Sequence, residues 1–352
     1  MPSTVRIYSS SDISAPQLNS SNCSLVNVLQ ACLVTGYGSK NAAGWTQIGP
    51  TANCIALKGS GRTNCWLYVE DSMSNINTSG SGNNRVAHIR GFESITNLYA
   101  NGAVNTNSAP FPTFAQINIS NGLFMVKSGS LNLTNREWIL IADENCFYFF
   151  NEYGANANAS TFVGYSQHFF GDFISWKTTD MYNCAVLASD STSLFYSVPQ
   201  QNGSIGQLAT SPTTNHKMYI ARRFDQTTNS IQACLHTLTF FDGAQKVLEY
   251  PHAPDNSAVW LTPILIGASS NIFGQMPGIY TASWSRFGAS SFVNRSYFEV
   301  YSGWSNIQVP GASNIANFQQ SNIIRIPVSY ATGSTGDGVT VHRFIDITGP
   351  WF

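Results

Sequence analysis

The sequence predicts a mainly β protein of β-sandwich-like antiparallel sheets, with one short N-terminal amphipathic helix docked on a sheet. Three observations support this fold class. Aromatic residues make up 13% of the 352 residues, and Phe, Tyr and Trp favour strands. Short apolar runs alternate with polar turns along most of the chain. Only one segment has the three-to-four-residue spacing of apolar side chains that is typical of a helix.

The first predicted strand is Val5–Ser9, and the helix follows a turn-rich stretch. Ser21 or Asn22 is placed to cap the first turn of the helix, and Gly36 to end it. The apolar side chains that form one face of this helix are Leu25, Val28, Leu29, Cys32 and Leu33. Such a short helix is expected to pack this face onto a sheet.

Nearly all later elements are predicted strands. A hairpin is expected at Cys54–Lys58 and Cys65–Asp71, with Gly59-Ser60-Gly61 at the bend. The remaining predicted strands are Arg85–Phe92, Leu123–Lys127, Trp138–Ala142, Cys146–Phe150, His168–Ile174, Cys184–Ala188, Met218–Arg222, Cys234–Phe241, Val259–Leu261, Tyr297–Tyr301, Ile323–Val328 and Val339–Ile347.

The Asn-, Ala- and Pro-rich segment Tyr99–Pro112 predicts a connection. It divides the chain into an N-terminal α+β module, residues 1–105, and a larger all-β module, residues 106–352. One interlocked unit is the alternative.

Charged residues are scarce. Asp, Glu, Lys and Arg make up 10% of the chain, against about 25% in ordinary soluble proteins. Such a surface lacks the like-charge repulsion that keeps monomers apart, which favours a protein held in an assembly or one outside the cytosol. Basic residues are scattered apart from Arg222–Arg223, so we predict no nucleic-acid partner. No apolar run approaches the ~20 residues that cross a bilayer, and the N-terminus has no signal-peptide pattern.

Compact catalytic and cofactor motifs are not found, and the sequence predicts neither an enzyme nor a cofactor or metal site. Gly59–Thr63 loosely matches a phosphate loop but lacks its Lys and following helix, which favours a hairpin turn. Asp143 and Asp172 are the candidates for a glycosidase pair. Turns in which each carboxylate accepts backbone N–H groups explain both residues better.

The cysteines and histidines are interpreted as structural residues. A Cys54–Cys65 disulfide is the alternative to buried free thiols, and the histidines are not at metal-ligand spacing. The residues concerned are Cys23, Cys32, Cys54, Cys65, Cys146, Cys184 and Cys234, and His88, His168, His216, His236, His252 and His342.

An interaction surface is predicted from aromatic residues in the second half of the chain. Trp284, Tyr301 and Trp304 lie among Ser and Asn and form a candidate sugar platform, although core or interface packing is the favoured explanation. The apolar C-terminus is expected to be buried in its own core or in a neighbour. The predicted surface consists of Trp284, Tyr301, Trp304, Trp351 and Phe352. The polar loop Thr332–Gly338 is a further candidate contact.

Several segments share their order with one known family. They are Ser14–Leu18, Ser24–Ser39, Ala43–Thr46, Leu67–Asp71, Arg90–Glu93, Pro110–Pro112, Arg136–Asp143, Phe169–Ser175, Pro277–Ile279 and Asp346–Trp351. Together they resemble tailed-bacteriophage virion structural proteins, whose N-terminus reads APxL…SLIxLLDACLVNGFGS…AGW. The chain departs from that pattern after Gly36-Tyr37-Gly38, where many members carry an insertion.

The resemblance implies a location and a class of protein, without active-site residues. It implies a non-enzymatic structural component of the tail, baseplate, neck or capsid decoration. Such a component is made in the host cytoplasm and assembles through β-edge and aromatic contacts with copies of itself and other virion proteins. The alternatives are a receptor- or glycan-binding module that contacts a host surface glycan, and a tail-associated polysaccharide hydrolase.

Overall fold

The computed structural model describes residues 4–72, 85–113, 123–128, 131–152, 165–189, 216–223, 225–227, 231–237, 259–260, 262–268, 271–284, 299–301, 307–308, 323–329, 340–347 and 350–352. Helix α1 spans Ser24–Gln30 and continues into a π-helical turn at Ala31–Thr35. The strands are β1 (Arg6–Ser9), β2 (Thr46–Thr51), β3 (Cys54–Lys58), β4 (Trp66–Glu70), β5 (Arg85–Phe92), β6 (Asn97–Leu98), β7 (Val104–Asn105), β8 (Pro110–Phe111), β9 (Leu123–Ser128), β10 (Trp138–Ala142), β11 (Cys146–Glu152), β12 (Tyr165–Asp172), β13 (Ile174–Ser175), β14 (Cys184–Ser189), β15 (His216–Ile220), β16 (Ile231–Thr237), β17 (Val259–Trp260), β18 (Thr262–Ala268), β19 (Asn271–Trp284), β20 (Glu299–Tyr301), β21 (Ile307–Gln308), β22 (Ile323–Ser329) and β23 (Thr340–Asp346).

The mainly antiparallel β prediction with one short N-terminal helix is confirmed. Seven of the described strands were not predicted, namely β2, β6, β7, β8, β18, β19 and β21. The longest of them, β19, contains Gly274, Pro277 and Gly278. These residues interrupt the apolar alternation by which strands are recognised in a sequence.

The strands form two main sheets. The larger sheet has the order β1-β10-β11-β12-β14-β15-β16-β18-β19-β23-β22-β20, with β13 added to β19. The smaller sheet has the order β2-β3-β4-β5-β8, with β9 also on β5. Two short pairs complete the described strands, antiparallel β6–β7 and parallel β17–β21.

The first core lies between the smaller sheet and the β10–β14 region of the larger sheet. Helix α1 packs its apolar face into this same core, as the sequence predicted. From the larger sheet it takes Leu140, Phe147, Phe149, Phe170 and Val186, and from the smaller sheet Ile55, Leu57, Leu67, Val69, Ala87 and Ile89.

The second core lies on the opposite face of β10–β14. It packs Ile139, Ile141, Tyr148, Phe150 and Phe169 against Ile264, Ile266, Phe273 and Met276 from β18 and β19. Strands β10 and β11 are therefore buried on both faces. This explains why their sequences are continuous apolar runs rather than alternating ones.

The N-terminal end of α1 is stabilised from a distant strand. Asp71, directly after β4, accepts a hydrogen bond from the backbone N–H of Leu25 at 2.8 Å. The predicted cap at Ser21 or Asn22 is wrong, because the residue before the helix is Cys23, which has φ 62° and no side-chain cap. Gly36 ends the helical segment as predicted, and its N–H donates to the carbonyl of Ala31 at 2.8 Å.

Strand pairing crosses residue 105 in both directions. Strand β1, from the N-terminal part, pairs with β10 of the larger sheet. Strand β9, from the later part, pairs with β5 of the smaller sheet. The two proposed modules therefore share both sheets and the first core.

Candidate functional site

Asp143 holds the turn between β10 and β11. One carboxylate oxygen accepts hydrogen bonds from the backbone N–H groups of Asn145 and Cys146, at 2.8 and 2.9 Å. The other oxygen accepts one from the Asn145 side-chain amide at 3.1 Å. The Asp143 carbonyl also accepts the Trp45 indole N–H at 2.8 Å. The buried Asp143 side chain thus has the turn role that its sequence position favoured.

Asp172 fastens the smaller sheet to the larger one. It ends β12, and its carboxylate accepts the backbone N–H groups of Arg62 and Thr63, at 2.8 and 3.3 Å, and the Thr63 hydroxyl. These donors belong to the Gly59–Thr63 loop between β3 and β4. The amides that a phosphate loop would offer to a phosphate are therefore directed at the protein's own carboxylate. A Cβ at Gly61 would lie 2.4 Å from Asp172 Oδ2, so this approach requires glycine.

The surroundings of Asp172 do not suit glycoside hydrolysis. Burial raises the pKa of Asp172 to about 6, the hydrogen bonds from Thr63 and Arg62 offset part of that rise, and the charge of Asp143 adds to it. A glycosidase pair needs room for a sugar and a water molecule. The gap around Asp172, lined also by Asn145 and Cys184, is too narrow to admit water.

Among the histidines whose side chains the structure describes, His88 and His168 are buried in strands. Burial lowers the pKa of His168 to about 3. Burial and the charge of Arg90 lower the pKa of His88 to about 4. In the described part of the chain, no group of three or more His, Cys, Asp or Glu residues is placed to hold a metal ion. His252 lies outside the described residues.

The six cysteines with described side chains are free thiols. Five are buried, as predicted, and Cys23 is partly exposed. Cys54 and Cys65 are thus not bridged to each other, and the Cys54 sulfur instead lies 3.1 Å from the Tyr68 hydroxyl oxygen.

Of the predicted interaction surface, the structure describes the side chains of Trp351 and Phe352. Trp351 is buried, which corrects its assignment to that surface: its indole N–H donates to the carbonyl of Asp346 at 2.8 Å, and its ring packs edge-on against Tyr148. Phe352 beside it is exposed. Trp284 ends β19 and Tyr301 ends β20. Trp304 and the loop Thr332–Gly338 lie outside the described residues.

Large apolar side chains are instead exposed at positions that sequence reasoning missed. Trp176 and Met181, at the two ends of one short loop after β13, are 56% and 54% exposed. We call this pair the Trp176 patch. Next to it, the Arg222 guanidinium lies 3.6 Å from the centre of the Tyr182 ring and forms two hydrogen bonds with Glu93, at 2.6 and 2.7 Å. Exposure of this kind cannot be deduced from the local sequence, in which Trp176 follows a strand and resembles a core residue.

A cleft of about 520 Å³ lies on the outer face of the smaller sheet. Its floor is formed by Tyr68 and Glu70 of β4 and by Arg90 and Phe92 of β5. We call it the Arg90 cleft. Neighbouring strands are paired so that Tyr68 lies opposite Arg90 and Glu70 opposite His88. The two charged side chains are therefore diagonal neighbours on one face of the sheet.

The segment between β6 and β8 forms the other wall of the Arg90 cleft. Its lining residues are Asn101, Gly102, Ala103, Val104, Thr106, Ser108 and Pro110. The Tyr68 hydroxyl donates to the Gly102 carbonyl at 2.9 Å, and the Thr106 hydroxyl donates to the Ser94 carbonyl. The first bond fixes the wall to β4, and the second fixes it to the segment that follows β5. One feature of the sequence indicates this site. Along β5 the core residues Ala87 and Ile89 face one side of the sheet, so the charged Arg90 is expected on the opposite, outer face.

Comparisons with known proteins do not assign the chain to a family. A scan against protein-family models gives no match, and a search of curated proteins gives no significant match. Within the described residues, no helix has both the length and the apolar character needed to cross a membrane.

Proposed function

We propose that the chain is a non-enzymatic structural component of a tailed-bacteriophage particle, in its tail, baseplate, neck or capsid decoration. Its partners are copies of itself and other virion proteins. The resemblance in sequence supports this proposal, and the resembling segments lie in the framework of the fold. Ser24–Ser39 contains α1, Arg136–Asp143 contains β10, and Phe169–Ser175 contains the end of β12 and all of β13.

The observation that carries the proposal is the Trp176 patch. Exposed tryptophan and methionine are enriched where proteins contact one another. On a chain with so few charges, little electrostatic repulsion opposes the burial of this patch against a neighbour. Asp143 and Asp172 are the candidate hydrolase pair, and both carboxylates accept hydrogen bonds from backbone N–H groups of the protein itself. This favours a binding protein over an enzyme.

At two described sheet edges, the structure disfavours pairing with a strand of a neighbouring molecule. Assembly through side-chain contacts is therefore favoured over assembly through these edges. Strand β2 forms one edge of the smaller sheet and contains Pro50, which has no N–H to donate. Strand β1, at one edge of the larger sheet, has only four residues. Short or proline-containing edges resist pairing with a further strand.

Purified particles provide the test. We expect mass spectrometry to detect the chain in them, and light scattering to show that the isolated chain self-associates as its concentration rises. The double variant Trp176→Ser/Met181→Ser should enter particles at least ten-fold less efficiently, because truncation of central aromatic contacts typically costs about 2 kcal/mol or more.

Tyr99→Ser is the matched control, since it also removes an exposed aromatic side chain, at a different place. It should enter particles as the unmodified chain does. A chain that stays monomeric at all concentrations and is not found in particles would contradict the proposal.

A further inference from the structure

We infer that the Arg90 cleft binds a neutral, hydroxyl-rich ligand, namely one or two sugar residues. This inference does not depend on the proposed structural role. It places saccharide binding on the smaller sheet, away from the aromatic residues of the second half of the chain that first suggested it.

The dimensions of the cleft suit such a ligand. Its volume of about 520 Å³ lies within the roughly 300–1,000 Å³ typical of small-molecule sites. The cleft is a surface depression between a sheet and a loop wall, so a terminal or internal residue of a longer glycan can enter from the side.

The charges in the cleft favour a neutral ligand. Arg90 supplies a planar group of N–H donors, and Glu70 supplies carboxylate acceptors. An anion such as phosphate would be attracted to Arg90 but repelled by Glu70. A cation would be attracted to Glu70 but repelled by Arg90. Hydroxyl groups both donate and accept, so a sugar can bond to both side chains at once. Asn101, an exposed residue, adds side-chain N–H donors at the rim, since its Oδ1 accepts the backbone N–H of Ala103 at 3.0 Å.

The floor of the cleft includes two aromatic residues. Tyr68 and Phe92 both line it, and their rings pack edge-to-face with centroids 6.4 Å apart. Arg90 is half-buried beside them, and burial lowers its pKa. Hydrogen bonds to a partly desolvated guanidinium are stronger than those made in bulk water.

The strands and the wall that carry the polar groups of the cleft are joined to one another by hydrogen bonds. Glu70 and Arg90 stand on adjacent strands of a paired sheet, and the wall is tied to that sheet through Gly102. A site on rigid elements loses less entropy on binding than one on mobile loops.

The test is ligand-observed NMR on the full chain at neutral pH. The panel contains glucose, galactose, mannose, N-acetylglucosamine and rhamnose, with anionic inorganic phosphate and zwitterionic glycine as comparison ligands. We expect at least one sugar to bind and neither comparison ligand to compete with it. Glu70→Gln and Arg90→Lys should each raise the Kd of that sugar about ten-fold, because each weakens a hydrogen bond to a charged group. Ala103→Trp should fill the cleft and abolish binding.

Two variants elsewhere serve as controls. Glu137→Gln makes the same chemical change at an exposed position, and Leu133→Trp adds an indole where the native side chain is already exposed. Both should leave the Kd unchanged, and thermal unfolding should verify that every variant is folded. The inference is overturned if none of the five sugars binds, if phosphate or glycine binds in their place, or if the three cleft variants bind sugar normally. Entry into particles is measured separately, so each proposal can fail without the other.

Discussion

At the scale of single residues, buried carboxylates fix turns and join distant segments in the described part of the chain. Asp143 fixes a turn, and Asp172 fastens one sheet to the other. Asp71 accepts hydrogen bonds from the start of helix α1 and from the ammonium group of Lys127, which also donates to the Ser21 carbonyl at 2.7 Å. A buried charge is tolerated only where such partners compensate its desolvation.

The buried Asp71–Lys127 pair makes the first prediction. Burial raises the pKa of Asp71 and lowers that of Lys127, and the opposite charge of each partner offsets part of both shifts. Lys127→Met leaves the Asp71 carboxylate buried without its cation. We expect it to lower the free energy of unfolding by about 3–5 kcal/mol, measured by urea denaturation.

Lys40→Met is the control for this variant. Lys40 pairs with Asp12 at 3.3 Å, and its side chain is 40% exposed. Because partly exposed pairs contribute little, we expect a loss of about 1 kcal/mol or less. Equal losses in the two variants would contradict the role assigned to the buried pair.

His168 makes a prediction about pH. Its pKa is about 3 in the folded protein because of burial, against about 6.5 in an unfolded chain. Below pH 6.5 the unfolded chain therefore binds a proton that the folded chain does not, and stability falls as the pH is lowered from about 6.5 towards 3. At pH 5 this group alone reduces the free energy of unfolding by roughly 2 kcal/mol relative to pH 7.

Comparison with His168→Gln isolates this contribution. The raised pKa of Asp172 increases stability as the pH falls from about 6 to about 4. This contribution is present in both the unmodified chain and the variant. The drop in the free energy of unfolding between pH 7 and pH 5, measured by denaturation at each pH, should be roughly 2 kcal/mol smaller in the variant. An unchanged pH dependence would show that His168 does not contribute.

At the scale of elements, segments are held by residues that lie far away in sequence. Helix α1 depends on Asp71 at the end of β4 for a hydrogen bond at its N-terminus. The C-terminal segment depends on Trp351, whose ring occupies space left by Gly278 on β19: a Cβ there would lie 2.0 Å from the indole nitrogen. Local sequence signals gave the positions of these segments, but not the residues that anchor them.

Trp351 and Phe352 give a matched pair of tests for this anchoring. Trp351→Ala should lower the free energy of unfolding by about 3–5 kcal/mol, because it empties a buried site in the second core. Phe352→Ala should change it by about 0.5 kcal/mol or less, because that side chain is exposed. Thermal or urea denaturation measures both. Comparable losses in the two variants would mean that the Trp351 contact does not stabilise the chain.

At the scale of the whole molecule, the two sheets are assembled from interleaved parts of the chain. Strand β1 joins the later strands, β9 joins the earlier ones, and the first core takes side chains from both sides of residue 105. A division at this position would expose the apolar inner faces of both sheets.

Expression of residues 1–105 and 106–352 as separate fragments tests the division. We expect neither fragment alone to unfold cooperatively on heating, since each lacks strands and core residues supplied by the other. Co-expression should restore a cooperative transition. A cooperative transition in either isolated fragment would favour two independent modules instead.

The sequence by itself determined where many strands lie and that α1 is the helix. The run Trp138–Ala142 matches β10 at both ends, because strands buried on both faces must be continuously apolar. Charge scarcity was likewise visible without a structure. Interrupted strands such as β19 were missed, because their glycines and prolines are accommodated by neighbours that the sequence does not identify.

Only the tertiary structure decided what individual side chains do. Asp172 and Thr63 are 109 positions apart, yet one carboxylate joins them. The burial of Trp351, the exposure of Trp176 and the shape of the Arg90 cleft also depend on contacts between segments that are far apart in the sequence. The physical reason is that local sequence fixes backbone preference and side-chain periodicity, whereas burial, pKa and cleft shape are set by non-local contacts between segments.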